Sequence, residues 1–175
     1  MSIPNLITLI RIVLIPWFAI LLINGSFNQA LWVFAGAAVT DGLDGLIARW
    51  FSQKTRLGAF LDPIADKMLL STAYIALAVL KELPVWLTVI VISRDVVIVL
   101  GVSILFLNQV RFEIKPTIYS KLTTIFQLLL ILLVLSSGYI HLGYFVRQGL
   151  VLTTLIFTVF SGLHYLYSGL KILTP

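Results

Sequence analysis

Apolar side chains in this chain come in six long runs, each closed by a polar or turn-forming break. The runs are Asn5 to Ile23, Ala30 to Phe51, Gly58 to Leu80, Val85 to Leu107, Leu122 to Ile140 and Gln148 to Leu170. Asn24-Gly25-Ser26 ends the first, the basic stretch Arg49 to Arg56 closes the second, and Lys81-Glu82-Leu83-Pro84 precedes the fourth. A polar linker, Asn108 to Tyr119, joins the fourth to the fifth. A helix rising about 1.5 Å per residue crosses a hydrocarbon layer of about 30 Å in roughly twenty residues, so the pattern predicts six transmembrane helices. The expected fold class is an all-α integral membrane protein, with residues 1–175 forming a single membrane domain. A secretory signal is the competing reading of the first run. No basic side chain precedes that run, no A-x-A site follows it and Arg11 stands inside it, so it is read as a membrane helix.

Composition supports the membrane reading: 60% of residues are hydrophobic and 11% charged, with a mean hydropathy of +1.09. The absence of cysteine excludes disulfides, thiolate chemistry and Cys-based zinc or iron–sulfur sites. The net charge of +5 raises the question of nucleic acid, but the basic residues sit mostly in short loops between apolar runs. That distribution reads as topology and attraction to lipid surfaces, and no nucleic-acid partner is expected. Arg49, Lys54 and Arg56, then Arg111, Lys115 and Lys121, and finally Lys171 fall on one side, against Lys81 and Arg147 on the other. Both termini are therefore expected in the cytoplasm.

Acidic residues change the picture from membrane protein to enzyme. Of the seven in the chain, four lie between Asp41 and Asp66, within otherwise apolar sequence. Asp41 and Asp44 are spaced i,i+3, and Asp62 and Asp66 i,i+4, so each pair shares one face of its own helix. A carboxylate deep in a bilayer costs about 2.5–3.5 kcal/mol on insertion scales, and four at ordered spacing need something to neutralise them. Hard divalent cations take oxygen ligands and suit an Asp cluster without Cys; the two His residues lie far away in sequence. Gly45 and Ala48 lie on the Asp44 side of the second helix, and Arg49 follows. Small residues there serve either helix packing or the close approach of a flat ligand, and Arg49 can fork onto phosphate or hold an Asp. By contrast, Arg94 and Asp95 near the middle of the fourth run read as helix-to-helix glue rather than catalytic groups.

Taken together, D-x-x-D-G-x-x-A-R, eight residues, G-x-x-x-D-x-x-x-D is matched at Asp41, Asp44, Gly45, Ala48, Arg49, Gly58, Asp62 and Asp66. This resembles the signature of the CDP-alcohol phosphotransferase family, and the resemblance extends over the chain in length and six-span layout. It implies transfer of a phosphatidyl or similar group from a CDP-linked donor, here CDP-diacylglycerol, to an alcohol, with release of CMP. It implies two ions, Mg²⁺ or Mn²⁺, held by Asp41, Asp44, Asp62 and Asp66, with Asp66 doubling as the base for the acceptor hydroxyl. Gly45, Ala48, Arg49 and Gly58 would border the nucleotide and its pyrophosphate. The opening Ile3-Pro4-Asn5-Leu6-Ile7-Thr8-Leu9-Ile10-Arg11 also resembles bacterial members that make phosphatidylglycerophosphate. Asn5, Thr8 and Arg11 are spaced for one helix face and either border the nucleotide or cap and cross-link helices. A homodimer in the bacterial inner membrane, with its active site at the cytoplasmic face, is the expected assembly.

The acceptor is expected to be read by the fourth and fifth helices. Branches using glycerol 3-phosphate carry a second basic residue two positions after the lysine of a G-K-x-K-T stretch. This chain has Ser120-Lys121-Leu122-Thr123-Thr124, with Thr123 at that position. Lys115 to Lys121, with Ile92-Ser93-Arg94-Asp95-Val96, resembles the cardiolipin synthases instead, whose acceptor is phosphatidylglycerol. A phosphodiester with one charge needs fewer cations than a dianionic monoester. Lys121, Lys115 and Arg111 are the candidate acceptor contacts; a solvated loop is the competing reading for the last two. A lysine at position 123 is expected to favour glycerol 3-phosphate. A transporter would also carry acids within helices, but along a midplane path rather than clustered near one face with Gly and Arg between them.

Overall fold

The computed structural model describes residues 3–50, 56–107, 118–139 and 143–173. Among these the chain is all-helical. Its α-helices are α1 (Ile3–Ile23), α2 (Phe27–Trp50), α3 (Arg56–Val79), α4 (Val85–Leu107), α5 (Ile118–Leu135) and α6 (Tyr144–Leu173), with a 3-10 turn at Ser136–Gly138. Ile118–Gly138 and Tyr144–Ser168 are long and apolar enough to cross a membrane, and Ile10–Ile23 and Lys67–Val79 are shorter apolar helices.

The apolar runs anticipate all six helices. α4 has the expected limits, whereas α3 begins at Arg56 rather than Gly58. Pro63 lies inside α3, beyond the first turn in which a missing N–H costs nothing. Pro16 inside α1 removes another helical donor. α5 begins at Ile118, so Lys121 is already helical.

Contacts divide the chain into two compact units. The first contains α1 to α3 with the end of α5 and the 3-10 turn; the second contains α4, α5 up to Leu130 and α6. In the first, α1 packs against both α2 and α3, and the 3-10 turn packs against α2. Phe18 and Phe34 meet at 5.5 Å between ring centres and pin α1 to α2. The reversal between them is tight: Gly25 takes φ +70°, the amide of Gly25 donates to Leu22 and that of Ser26 to Leu21. These bonds satisfy carbonyls left open at the end of α1. α3 ends in the same way at Lys81, φ +62°, with Lys81 donating to Ala78 and Glu82 to Leu77. A side chain is strained at that φ and glycine is not.

In the second unit, α4 packs on α6, and α5 joins α6 through buried hydroxyls. Thr123 donates to the carbonyl of Phe157 at 2.9 Å, Gln127 to Thr158 at 3.3 Å, and Thr154 to the carbonyl of Phe126 at 3.5 Å. Phe126 and Phe157 stack at 4.7 Å beside them. Membrane helices gain little from apolar burial against apolar lipid, so such bonds, averaging about 0.6 kcal/mol each, set the register.

Arg94 is the centre of this unit. Its guanidinium donates to Asp95 at 2.8 Å, to Ser120 of α5 at 2.9 Å and to Ser161 of α6 at 2.7 Å. It also lies over the Tyr165 ring, 5.9 Å from its centre. Both charges are buried, and the pairing offsets a desolvation cost that neither could meet alone. Arg94 and Asp95 thus form a structural pair tying α4 to α5 and α6.

Replacing Lys81 by glycine should relieve the left-handed strain and stabilise the protein by about 1 kcal/mol, read as a higher thermal midpoint in detergent. Position 123 requires a correction. Thr123 is fully buried against α6, so a lysine there loses the bond to Phe157 and forces an ammonium into the helix seam at about 2.5–3.5 kcal/mol. Thr123→Lys should lower folded yield and thermal midpoint rather than broaden acceptor use. A stable variant with gained glycerol 3-phosphate activity would contradict this.

Candidate active site

Three buried stripes in the first unit run toward the acidic motif. On α1, Arg11, Ile15, Phe18 and Leu22 are buried, at alternating separations of four and three residues. On α2 the buried positions are Ala30, Phe34 and Ala37. Positions 41 and 44 fall next in the same helical register. On α3, Leu77, Ala73 and Leu70 are buried and lead back to positions 66 and 62. Each core stripe is thus apolar along its length and meets charged residues at one end: the start of α1, the end of α2 and the start of α3. The tight reversal at Gly25 makes α1 and α2 antiparallel, which sets the first two of these ends side by side. The α1 contacts with α2 and α3 hold all three helices in one packed group.

Backbone helicity at Asp41, Asp44, Asp62 and Asp66 supports the expected same-face spacing of each pair. Gly45, Ala48 and Arg49 continue α2, Gly58 lies in the first turn of α3, and Asn5 and Thr8 lie in α1. The side chains of these ten residues lie outside the described set. The donors offered at the motif are carboxylate oxygens only, a set that fits a hard divalent cation and not a soft or thiophilic one.

Next to the motif the described side chains are well fixed. Arg11 is only 2% exposed, an unusual burial for a cation. Thr40, immediately before Asp41, donates to the carbonyls of Gly36 at 3.0 Å and Ala37 at 2.9 Å. Arg11 and Thr40 line one cavity of about 480 Å³ between α1 and α2. The sequence leaves Arg11 either bordering the nucleotide or cross-linking helices and gives no sign of this cavity, whose other walls are apolar residues of two helices.

Of the acceptor candidates, Lys121 is exposed on α5, one residue after the Ser120 that holds Arg94. Arg111 and Lys115 lie outside the described residues.

Comparison with known proteins agrees with the motif. A family model described as CDP-alcohol phosphatidyltransferase matches residues 1–160. A probable phosphatidylglycerophosphate synthase of Mycobacterium tuberculosis is 36% identical over 97% of this chain and 82% of its own length. A CDP-diacylglycerol–glycerol-3-phosphate 3-phosphatidyltransferase of Aquifex aeolicus is 31% identical, covering 99% of this chain and 98% of that protein. The CMP-forming cardiolipin synthase of Rattus norvegicus is 42% identical over 74% of this chain and 48% of its own length. With its signature residues spaced along two successive helices and a family match over most of its length, the chain is a transferase of phospholipid biosynthesis belonging to the CDP-alcohol phosphatidyltransferase family.

Proposed function

We propose that the chain transfers the phosphatidyl group of CDP-diacylglycerol to phosphatidylglycerol, forming cardiolipin and CMP. The observation that carries the reaction class is the family match over residues 1–160, which contains the matched signature of four aspartates on α2 and α3. The family is generally dependent on a divalent metal; Asp41, Asp44, Asp62 and Asp66 are the residues that would hold two Mg²⁺ or Mn²⁺ ions. Bound there, the ions supply charge neutralisation at the pyrophosphate and at the leaving CMP.

The protein's own groups do the rest. Gly45, Ala48 and Gly58 leave room for the donor to approach the helix backbone, Arg49 offers a bidentate contact to phosphate, and Asn5 and Thr8 offer hydrogen bonds to the nucleotide. Asp66 accepts the proton of the acceptor hydroxyl as its oxygen bonds to the lipid phosphorus and the bond to CMP breaks. Residues 1–175 form one catalytic domain, a reading supported by the family match over residues 1–160. All six helices cross the membrane, with both termini and the motif at the cytoplasmic face; the placement of Lys and Arg supports this. Bacterial relatives matched along nearly the whole chain support an inner-membrane location. Homodimerisation rests on the family resemblance alone.

For the acceptor, Lys121 is exposed on α5 while Thr123 is sealed into the α5–α6 seam. One cation from this stretch, with Lys115 and Arg111 from the preceding linker, suits a phosphodiester. The end-to-end match to the M. tuberculosis and A. aeolicus proteins favours a second reading, with glycerol 3-phosphate as acceptor.

EDTA should abolish CMP release from CDP-diacylglycerol, and Mg²⁺ or Mn²⁺ should restore it; undiminished turnover in EDTA would remove the metal assignment. Asp41→Asn, Asp44→Asn and Asp62→Asn should each lower kcat by a factor on the order of a thousand in folded protein, the scale of a lost electrostatic stabiliser. Asp66→Asn should lose turnover while keeping most donor affinity, measured by binding of a CDP-lipid. Asp95→Asn should act mainly on thermal stability.

Wild-type protein offered both acceptors decides between the two readings. The expected product is cardiolipin, and a product retaining a monoester phosphate would establish the second. Lys121→Ala should lower kcat/KM for phosphatidylglycerol about tenfold, the worth of one charge-assisted contact, with donor KM unchanged.

A further inference from the structure

The proposed acceptor contact, Lys121, stands where a helix is least ordered. α5 begins at Ile118, so Lys121 belongs to its first turn, whose amides have no partner inside the helix. Helix ends fray more readily than helix interiors. What holds this turn must come from side chains, and Ser120 supplies a charged tie: the Arg94 guanidinium donates to its hydroxyl at 2.9 Å. The same Nη2 donates to Ser161 at 2.7 Å, and Nη1 donates to Asp95 at 2.8 Å. Arg94 and Ser161 are buried, and the arginine stem lies close to Gly162 of α6. Arg94, part of α4 and fastened to α6, is thus a fixed post. Tyr119 adds ring contacts with Phe160 at 6.4 Å and His164 at 5.7 Å, but it is half exposed. The next bond from α5 to α6, from Thr123 to the carbonyl of Phe157, comes only after Lys121.

We infer that Ser120 is a positioning residue for Lys121: its bond to Arg94 closes the first turn of α5 onto the protein and fixes the direction in which Lys121 leaves the helix. The inference rests on the acceptor reading of Lys121 and specifies how that lysine is held. Successive residues of an α-helix are about 100° apart around its axis. With Ser120 turned toward Arg94 and Thr123 sealed against α6, Lys121 falls at the edge of the packed face, where it is exposed. Without the Ser120 bond, the hydrogen-bonded part of α5 would begin at Thr123. The ammonium would keep its charge and lose its direction.

Ser120→Ala should lower kcat/KM for phosphatidylglycerol about threefold, the worth of one interhelical hydrogen bond in a membrane protein, with KM for CDP-diacylglycerol unchanged. Ser120→Thr keeps the hydroxyl and should restore the wild-type value. Ser161→Ala removes a buried partner of the same guanidinium but leaves Ser120 in place. It should lower the thermal midpoint and leave acceptor kcat/KM unchanged. In a Lys121→Ala background, Ser120→Ala should cost nothing further, because it acts through the lysine. An equal loss in that background, or an equal loss from Ser161→Ala, would overturn the inference.

A spin label reads the same tie without turnover. The chain has no cysteine, so Lys121→Cys gives a single attachment point. Ser120→Ala should raise the mobility of a nitroxide at position 121, seen as narrower lines in its electron paramagnetic resonance spectrum, and Ser161→Ala should not. A spectrum unchanged by Ser120→Ala would overturn the inference. Wild-type acceptor kcat/KM in Lys121→Ala would instead overturn the acceptor reading, and the label would still decide whether Ser120 holds the turn.

Discussion

Placing charge at the end of an apolar helix stripe is the constraint from which the rest of this protein follows. Four carboxylates in membrane helices would cost on the order of 10 kcal/mol if each carried the insertion penalty alone, comparable with the whole stability of a typical domain. They are tolerable only as a group that shares countercharge. The first unit suits that requirement. Its core stripes on α1, α2 and α3 are apolar for several turns, and Arg11 is buried at the end where the motif begins. The apolar packing fixes the helix register, and the register sets which face carries the acids.

The second unit treats a buried charge in the opposite way. Arg94 is held within the protein by Asp95, Ser120, Ser161 and the Tyr165 ring, with its Nε alone left without a hydrogen bond. A guanidinium with so many fixed partners is poorly suited to an incoming ligand, since any new contact must replace an existing one. Its effect on chemistry is indirect: it ties the start of α5, where Lys121 stands, to α4 and α6. Gly162 lets Arg94 lie close to α6, since a Cβ there would come within 3.3 Å of the arginine side chain. The first unit thus carries the acidic motif on α2 and α3, and the second uses buried charge to fix its helices.

The helices were legible because apolar run length alone marks them, and α4 was legible to its ends. The starts of α5 and α6 were not. Ile118 to Lys121 and Tyr144 to Arg147 lie before the apolar runs, yet their backbone is helical: Ser120 is tied to Arg94 of α4, and the amides of Val146 and Arg147 close on the Gly143 carbonyl. The end of α3 was legible from the Lys81 to Pro84 break, but its left-handed cap was not, since the usual signal is glycine and Lys81 occupies it. The motif was legible because it depends on residue types at fixed spacing. The cavity beside it depends on Trp17, Trp32 and Gly36 from two helices, and no spacing within one helix announces a surface shared by two.

Thr123 shows where reading by motif position fails. Correspondence with a basic position suggested that this residue faces the acceptor, but its hydroxyl bonds to the carbonyls of Tyr119 and Phe157 and its side chain is fully buried. A position that carries a cation must have a path to water or to an anion, and the α5–α6 seam offers this threonine neither. If a glycerol 3-phosphate branch places a lysine here, its α5 must be rotated or its seam opened relative to this one. Acceptor choice in such a protein is then a property of how α5 packs on α6, and the basic residues report that packing as much as they determine it.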